Sequence, residues 1–568
     1  MSNRNLSKAR RLSGVAGPVV LIISLDLALV GLVGAKQGVL GLYEPDIYGS
    51  VAPYTWPALF GSLVLPLVVF FIADRRDRLS PSLIWWLLIS FVIAIVGLTS
   101  VPLVRYPAGY DRWDSWYHFA EAKVILTLGH ASAANFYPAT HLVLAQLVQM
   151  VGISPVTVFR AIPPALSGLL VATVFGTCEW IGMGPKGSFV AAVAASSLVG
   201  LPFVLPISVS LLFLVVLLGL LAKPITSIDR SILVLVCFAA VVVAHLLTAI
   251  SVVIGLLAYL ILAKQGMKSA FQIFLMTVVV LLTWIFWMTT VYAAPLRLIS
   301  QVVATGAFRS RDYSQVLATV GLSGVGAVLV VGAITLSRVS SILLAAPAGV
   351  SGFRHWVSRS PEIETRLGLW ASANLVFFLI LGVFFGTGTI GDLLDRFVNF
   401  GLFGIVLLSG MSLVHWSRRS NRSRSVAAAL CVVVIAGQVA FFYPSPLTAR
   451  YNWETGSSDV TGLSWFSVSA QPGQTVDASD YNHAILSGLI GTGNATALGL
   501  SFGMELPRHL GCPPVNSTSA NYLIVTSFDL FVFSRRGEIL ESDVRCIQNS
   551  GNWNLIYDNG AFWVFNHE

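Results

Sequence analysis

Apolar runs about as long as a membrane helix recur from residue 14 to residue 443, and they limit the possible folds more than any other feature of the chain. A backbone in lipid must close its own hydrogen bonds, so runs of about 20 apolar residues are read as spanning helices. Expected spans fall at 14–34, 57–73, 82–104, 158–180, 188–206, 207–223, 232–248, 249–264, 271–291, 316–336, 368–386, 397–414 and 425–443, about thirteen crossings. Charged residues make up 11% of the chain, against about 25% in soluble domains. The net charge is +8. Most of it sits in the short breaks between runs, which is the positive-inside pattern and excludes nucleic acid as a partner.

Arg4, Lys8, Arg10 and Arg11 precede the first run, which reads as an uncleaved span with a cytoplasmic amino terminus. The breaks holding Arg75, Arg76 and Arg78, Lys186, Lys223 with Arg230, Lys264 with Lys268, Arg338 through Arg366, and Arg418 to Arg424 then also fall inside. Residues 105–157, 292–315, 387–396 and everything beyond 443 fall outside. This parity requires the apolar helix at 141–151 to lie along the membrane or dip into it. Asp26 stands mid-span in the first run, and an intramembrane carboxylate is by default a functional candidate.

The expected organisation is a membrane domain at 1–443, with a long outer loop at 105–157, and an extracytoplasmic α+β or β-rich domain at 444–568. In the second part apolar runs stop and Gly, Ser, Asn and Thr rise. Tyr522–Phe533 has the β-branched and aromatic content of a buried strand. Asp558-Asn559-Gly560 between two such runs predicts a hairpin. Cys512 and Cys546 lie in this part, where an oxidising compartment would permit a disulfide. Asn494 and Asn516 head glycosylation-type triplets.

Polar chemistry concentrates between Tyr106 and His141. Asp111, Arg112, Asp114, His118, Glu121, Lys123, His130 and His141 follow directly on a span, interleaved with Trp113, Trp116 and Tyr117. A carboxylate here can deprotonate an acceptor hydroxyl or hold a divalent ion such as Mg or Mn beside a phosphate. A helix starting at Asp114 puts 114, 118 and 121 on one face. The plainer alternative is a polar loop with an interfacial aromatic belt, in which His118 and Glu121 line a solvated helix face.

The order of these residues resembles the GT-C class of membrane glycosyltransferases. Asp114-Ser-Trp-Tyr-His-Phe is similar to the acidic Asp-x-Trp motif of its oligosaccharyltransferase-type members. Tyr137-Pro-Ala-Thr-His141, Gly152-Ile-Ser-Pro and Arg160-Ala-Ile-Pro resemble the elements that follow it. Ile556-Tyr-Asp-Asn-Gly560 looks like the closing strand pair of archaeal members. The resemblance implies a hexosyltransferase-type enzyme of the cell membrane. It would move a sugar from a polyprenyl-phosphate or -diphosphate carrier, such as a dolichyl phosphate, to an extracytoplasmic protein or glycan acceptor. It implies Asp114 as catalytic carboxylate, with Asp111 as the alternative and His118 and Glu121 beside it, and Asp111 with Asp114 as metal ligands. It places Arg396, His141, His245, Arg160 and Tyr137 around the lipid phosphate or substrate, with Arg309 and Arg311 as alternatives to Arg396. The family's Trp-Trp-Asp-Tyr-Gly signature is absent from 444–568, which leaves the acceptor open. The competing expectation is a polytopic transporter of a lipid-linked or small solute.

Overall fold

The computed structural model describes residues 3–36, 43–44, 46–106, 114–131, 135, 137–198, 206–223, 228–262, 267–291, 325–357, 363–385, 400–412, 421–443, 455–471, 473–479, 501–503, 520–534 and 541–567, with 482, 485–486 and 488–489. Six described helices are long and apolar enough to cross a membrane: Val15–Lys36, Thr55–Arg75, Pro81–Thr99, Pro155–Ile181, Ala270–Trp287 and Asn421–Ala440. The chain is therefore a polytopic helical membrane protein, but the described helices do not reach the thirteen or so spans expected from the sequence.

The helices in order are α1 (Asn3–Lys36), α2 (Ile47–Ser50), α3 (Thr55–Arg75), α4 (Pro81–Thr99), α5 (Val101–Arg105), α6 (Asp114–Leu128), α7 (Pro138–Val151), α8 (Pro155–Ile181) and α9 (Gly184–Ala195). Then come α10 (Pro206–Ala222), α11 (Ile228–Ala244), α12 (Leu246–Leu262), α13 (Met267–Val291), α14 (Val325–Val357), α15 (Ile363–Phe385), α16 (Phe400–Ser412) and α17 (Asn421–Phe441). Local chemistry sets several ends. Ser80 and Ser154 accept the N–H groups of Leu83 and Thr157, and Pro81 and Pro155 open α4 and α8. Gly152 and Gly182 close α7 and α8 in the left-handed region, at φ of 68° and 94°.

Two expected spans and one expected helix change. Within the described part of the run at 188–206, α9 ends at Ala195, because Ser196 and Ser197 bond back to the Val193 and Ala194 carbonyls and tighten the chain into a 3₁₀ turn. The break expected at Arg338 lies inside α14, where no glycine or proline interrupts the chain between Arg338 and Pro347. The helix expected at 141–151 begins earlier, at Pro138. Its 14 residues reach about 21 Å, short of the roughly 30 Å hydrocarbon core.

The later chain forms a mixed five-stranded sheet in the order β2-β1-β3-β5-β4, with β1 Thr475–Asp477, β2 Ser501–Gly503, β3 Tyr522–Thr526, β4 Trp553–Asp558 and β5 Phe562–His567. The strands β1, β2 and β3 run parallel, while β5 is antiparallel to both β3 and β4. The expected hairpin is β4–β5, turned at Gly560 with φ of 82°. The strand expected over 522–533 stops at Thr526. There Asp529 accepts the Thr526 N–H and hydroxyl while Thr526 Oγ1 accepts the Asp529 N–H, which starts the helix α19 (Ser527–Ser534). Cys546 is disulfide-bonded, and Cys178, Cys237 and Cys431 are free thiols. Cys512 lies outside the described residues.

The outer-loop helices and the sheet share one core. Trp116, Phe119 and Ala122 of α6, Leu144 of α7 and Phe159 of α8 are buried with Leu463 and Phe466 of α18 (Ser457–Ser469), Ile485, Leu486, Ile524, Phe562 and Val564. Trp116 Nε1 donates to Thr455 Oγ1 at 3.0 Å, and Lys123 Nζ donates to the Gly488 and Leu489 carbonyls at 3.1 and 2.7 Å. A Cβ at Gly488 would sit 2.4 Å from the Trp116 ring, so only glycine permits this approach. α6 is therefore fixed on both sides.

Candidate functional site

α6 begins at Asp114, as the sequence predicts, and its inward face is not solvated: His118 is 5% exposed and Glu121 3%. The structure brings four of the expected site residues together. The rings of His118 and His141 have centroids 5.0 Å apart, His118 and Tyr137 6.4 Å, and Tyr137 and His245 5.8 Å. The helices α6 and α7 lie against one another, and α7 lies on α11, which ends one residue before His245. Asp111 and Arg396 lie outside the described residues, as do Arg309, Arg311 and the side chain of Asp114.

The proton positions in this cluster follow from its geometry. The Tyr137 backbone N–H can only donate, so the Asn135 atom it meets at 3.1 Å is the carbonyl Oδ1. That oxygen lies 2.8 Å from His141 Nδ1, which must carry a proton. Burial pushes the His141 ring down to about 3, so at neutral pH it holds one proton and its Nε2 accepts. His118 Nδ1, 2.8 Å from that Nε2, is the donor. Burial, and then the neighbouring His141 and His245, hold His118 well below the usual histidine range. His118 is therefore neutral with its lone pair on Nε2. Asn135, His141 and His118 form a relay that fixes one tautomer at each ring, and both His141 nitrogens are used inside it.

His245 occupies the single non-helical residue between α11 and α12. Its Nδ1 accepts the Thr248 N–H at 3.3 Å and lies 2.8 Å from Thr248 Oγ1, which is itself 2.9 Å from Ser210 Oγ. An Nδ1 that accepts leaves Nε2 as the proton-bearing atom. The rings of His118 and His245 thus offer opposite functions, a lone pair on one and an N–H on the other.

A second polar cluster anchors the start of the outer loop. Arg105, with no side-chain exposure, pairs with Glu44 and donates from Nη1 to the Ala35 carbonyl at 2.7 Å. The Tyr106 hydroxyl also donates to Glu44. Arg160 Nη2 donates to the Leu103 and Tyr106 carbonyls, tying α8 to the same point. Tyr43, beside Glu44, donates its N–H to Ser527 Oγ at 3.2 Å and packs against Phe528 and Phe531 of α19. Sequence reasoning missed Glu44 and Arg105. An acid between the first two runs and a basic residue at the end of the third were the available signs, but neither stands in a motif.

Among the described residues no group of three His, Cys, Asp or Glu side chains could hold a metal ion. The histidine relay spends its facing nitrogens on internal hydrogen bonds, so it offers no paired donors. The expected metal ligands Asp111 and Asp114 are not among the described side chains.

No protein-family model matches the chain, and no curated protein does. Among solved structures, it is similar to the oligosaccharyltransferase AglB from Archaeoglobus fulgidus, determined with an inhibitory peptide and a dolichol-phosphate. The TM-score is 0.47 at 11% identity, over 85% of this chain and 74% of that one. This is a distant likeness in the course of the chain, and no residue role is transferred from it.

Proposed function

We propose that the protein is a membrane glycosyltransferase of the hexosyltransferase, GT-C-like type. It moves a sugar from a polyprenyl-phosphate or -diphosphate carrier to a protein or glycan acceptor outside the membrane. The observation that carries this reading is the neutral histidine relay, whose terminal ring stands one turn along α6 from Asp114. That spacing suits a carboxylate base with a fixed hydrogen-bond acceptor beside it. The motif order from Asp114 to Arg160 supports the same reading.

In the proposed reaction the acceptor hydroxyl oxygen attacks the anomeric carbon. Its proton passes to the Asp114 carboxylate, and the carrier phosphate leaves with the bonding pair, so a monophosphate donor gives inversion. His118 Nε2 accepts a hydrogen bond from a sugar or acceptor hydroxyl and orients it. Glu121, one turn further on, supports the same face. Tyr137 and His245 line the approach of the substrate, and His245 Nε2–H serves as a donor to phosphate oxygen. Arg396 neutralises the leaving phosphate. His141 and Arg160 act from behind, holding His118 and the start of the outer loop. A divalent ion, if used, would sit on Asp111 and Asp114 and neutralise phosphate charge, and no step here passes through it. The topology proposed with this reading has about thirteen spans, a cytoplasmic amino terminus, a membrane part at 1–443 and an outer part at 444–568.

The test is a transfer assay in membranes with radiolabelled polyprenyl-linked sugars, comparing the native chain with Asp114→Asn, with and without chelator. Label transferred by the native chain and lost in Asp114→Asn, with folding and lipid binding retained, is the expected result. Full transfer by Asp114→Asn, or no transfer from any lipid donor by folded protein, would remove the reading. The chelator arm decides the metal.

A further inference from the structure

The end of the helix bundle opposite His245 carries two basic clusters, and they differ in what faces the cations. Arg230 stands in the first turn of α11 and His245 directly follows its last residue, so the two are about 20 Å apart along the helix axis. In the first cluster Lys186 Nζ and Arg424 Nε face the buried carboxylate of Asp74, at 2.6 and 3.9 Å from its two oxygens. That cluster holds its own counter-charge, and it clamps the ends of α3, α9 and α17 together.

The second cluster gathers Lys223 after α10, Arg230 at the start of α11 and Arg366 at the start of α15. Lys223 Nζ donates to the Trp180 carbonyl and lies 4.7 Å from the centre of that residue's ring. The Arg230 guanidinium is 5.3 Å from the same ring. Arg366 lies 5.5 Å from the Tyr259 ring and donates from Nη1 to the Leu221 carbonyl at 3.4 Å. Its Nε is buried and meets no acceptor among the described residues, and the Arg230 charge is near enough to repel it. Neither Lys223 nor Arg366 makes an ion pair among the described residues. The acids nearest in sequence point elsewhere. Glu364, two positions before Arg366 and so off its face, lines the groove between α14 and α15. Asp229 is exposed and adjacent to Arg230, which also puts it on another face. The carbonyls that receive Lys223 and Arg366 belong to the last turns of α10 and α8, whose two helix ends supply together roughly one negative charge. Three full cations exceed that.

We propose that Lys223, Arg230 and Arg366, framed by Trp180 and Tyr259, form a binding site for a phosphate group, carried by an anionic lipid of the adjoining leaflet. A preference for basic residues on one side of the membrane accounts for cations at this end. It does not account for three of them converging from separate helices around a buried guanidinium Nε that lacks an acceptor, which is costly to leave unmade. A phosphate supplies several acceptor oxygens at once and matches a guanidinium in paired hydrogen bonds. Basic pockets between membrane helices hold lipid headgroups in this way, and tryptophan and tyrosine suit headgroup depth. The site stands apart from the histidine cluster and does not depend on the proposed reaction.

The experiment titrates the full chain in detergent with phosphatidylglycerol and, separately, with inorganic phosphate, and reads bound ligand by native mass spectrometry. Arg366→Gln and Lys223→Gln probe the site, and Arg422→Gln, an exposed cation at the start of α17, is the control. Each basic residue at a membrane surface is worth about fivefold in affinity for an anionic lipid. The expected result is phosphatidylglycerol binding weakened by about that factor in each site variant and unchanged in the control. Lys223 is only half-buried, so Lys223→Gln keeps the test decisive if Arg366→Gln does not fold. Inorganic phosphate should compete weakly or not at all. Binding of inorganic phosphate with the same dependence on Lys223 and Arg366, but none of phosphatidylglycerol, would make the ligand a free anion and overturn the lipid assignment. Native affinity for phosphatidylglycerol in both site variants, or an equal loss in Arg422→Gln, would overturn the site itself.

Discussion

Replacing Asn135 by leucine removes the acceptor that a buried and a half-buried donor share, the His141 Nδ1–H and the Tyr137 N–H. Leaving a buried donor unsatisfied costs about 1–3 kcal/mol, so the substitution should destabilise the outer-loop region by roughly 1–4 kcal/mol, most of it from the His141 donor. The functional effect is separate. Without Asn135, the His141 ring is free to carry its proton on Nε2 and donate to His118 Nδ1. That reverses the relay and puts the His118 proton on Nε2, where the lone pair is needed. One neutral hydrogen bond is worth about 1 kcal/mol net, so loss of the anchor shifts the tautomer balance by roughly fivefold to tenfold, with a matching fall in sugar-transfer rate. Asn135→Asp keeps an oxygen acceptor for both donors, and it removes the amide Nδ2, which has no hydrogen-bond partner among the described residues. It should restore the tautomer order and most of the rate. The assay is sugar transfer in membranes beside thermal unfolding of the same preparations. A native rate in Asn135→Leu with the fold intact, or an equal loss in Asn135→Asp, would refute the relay.

Both relay histidines titrate below their ordinary value of 6.5 in the folded chain, His141 at about 3. The unfolded chain therefore binds protons between pH 6.5 and 3 that the folded chain does not, and stability falls as pH drops through this window. His141 alone contributes about 1.4 kcal/mol per pH unit. Melting temperature measured from pH 7 to pH 4 should fall more steeply in the native protein than in His141→Gln, and parallel curves would contradict the buried neutral pair. Glu44→Gln leaves the Arg105 guanidinium buried without its carboxylate and should cost about 3–5 kcal/mol, whereas Glu44→Leu combined with Arg105→Met should cost much less. Unfolding midpoints that rank the double variant below the single one would show that the pair is not the buried contact inferred from the structure.

The membrane helices were legible in the sequence because the hydrocarbon core sets their length and composition directly. Thr55–Arg75, Pro81–Thr99, Pro155–Ile181 and Asn421–Ala440 fall where apolar runs predict them. What hydropathy could not show was where a run stops being one helix. Ser196 and Ser197 end α9 by side-chain bonds to their own backbone, and a hydropathy average does not register two hydroxyls. The hairpin turn at Gly560 was legible because the left-handed conformation selects its residue type.

The polar site was half visible for a related reason. His118, His141, Tyr137 and His245 stood out as rare polar or aromatic residues beside apolar runs. Their roles toward one another depend on Asn135, an unremarkable loop asparagine whose importance comes only from its distances to the two groups it accepts from. Glu44 was hidden in the same way, since its partners Arg105 and Tyr106 lie 61 and 62 positions further along the chain. Sequence spacing reveals groups that act along one helix face, as Asp114, His118 and Glu121 do. It is silent about groups brought together by packing, and in this protein those are the residues that set which ring nitrogen carries the proton.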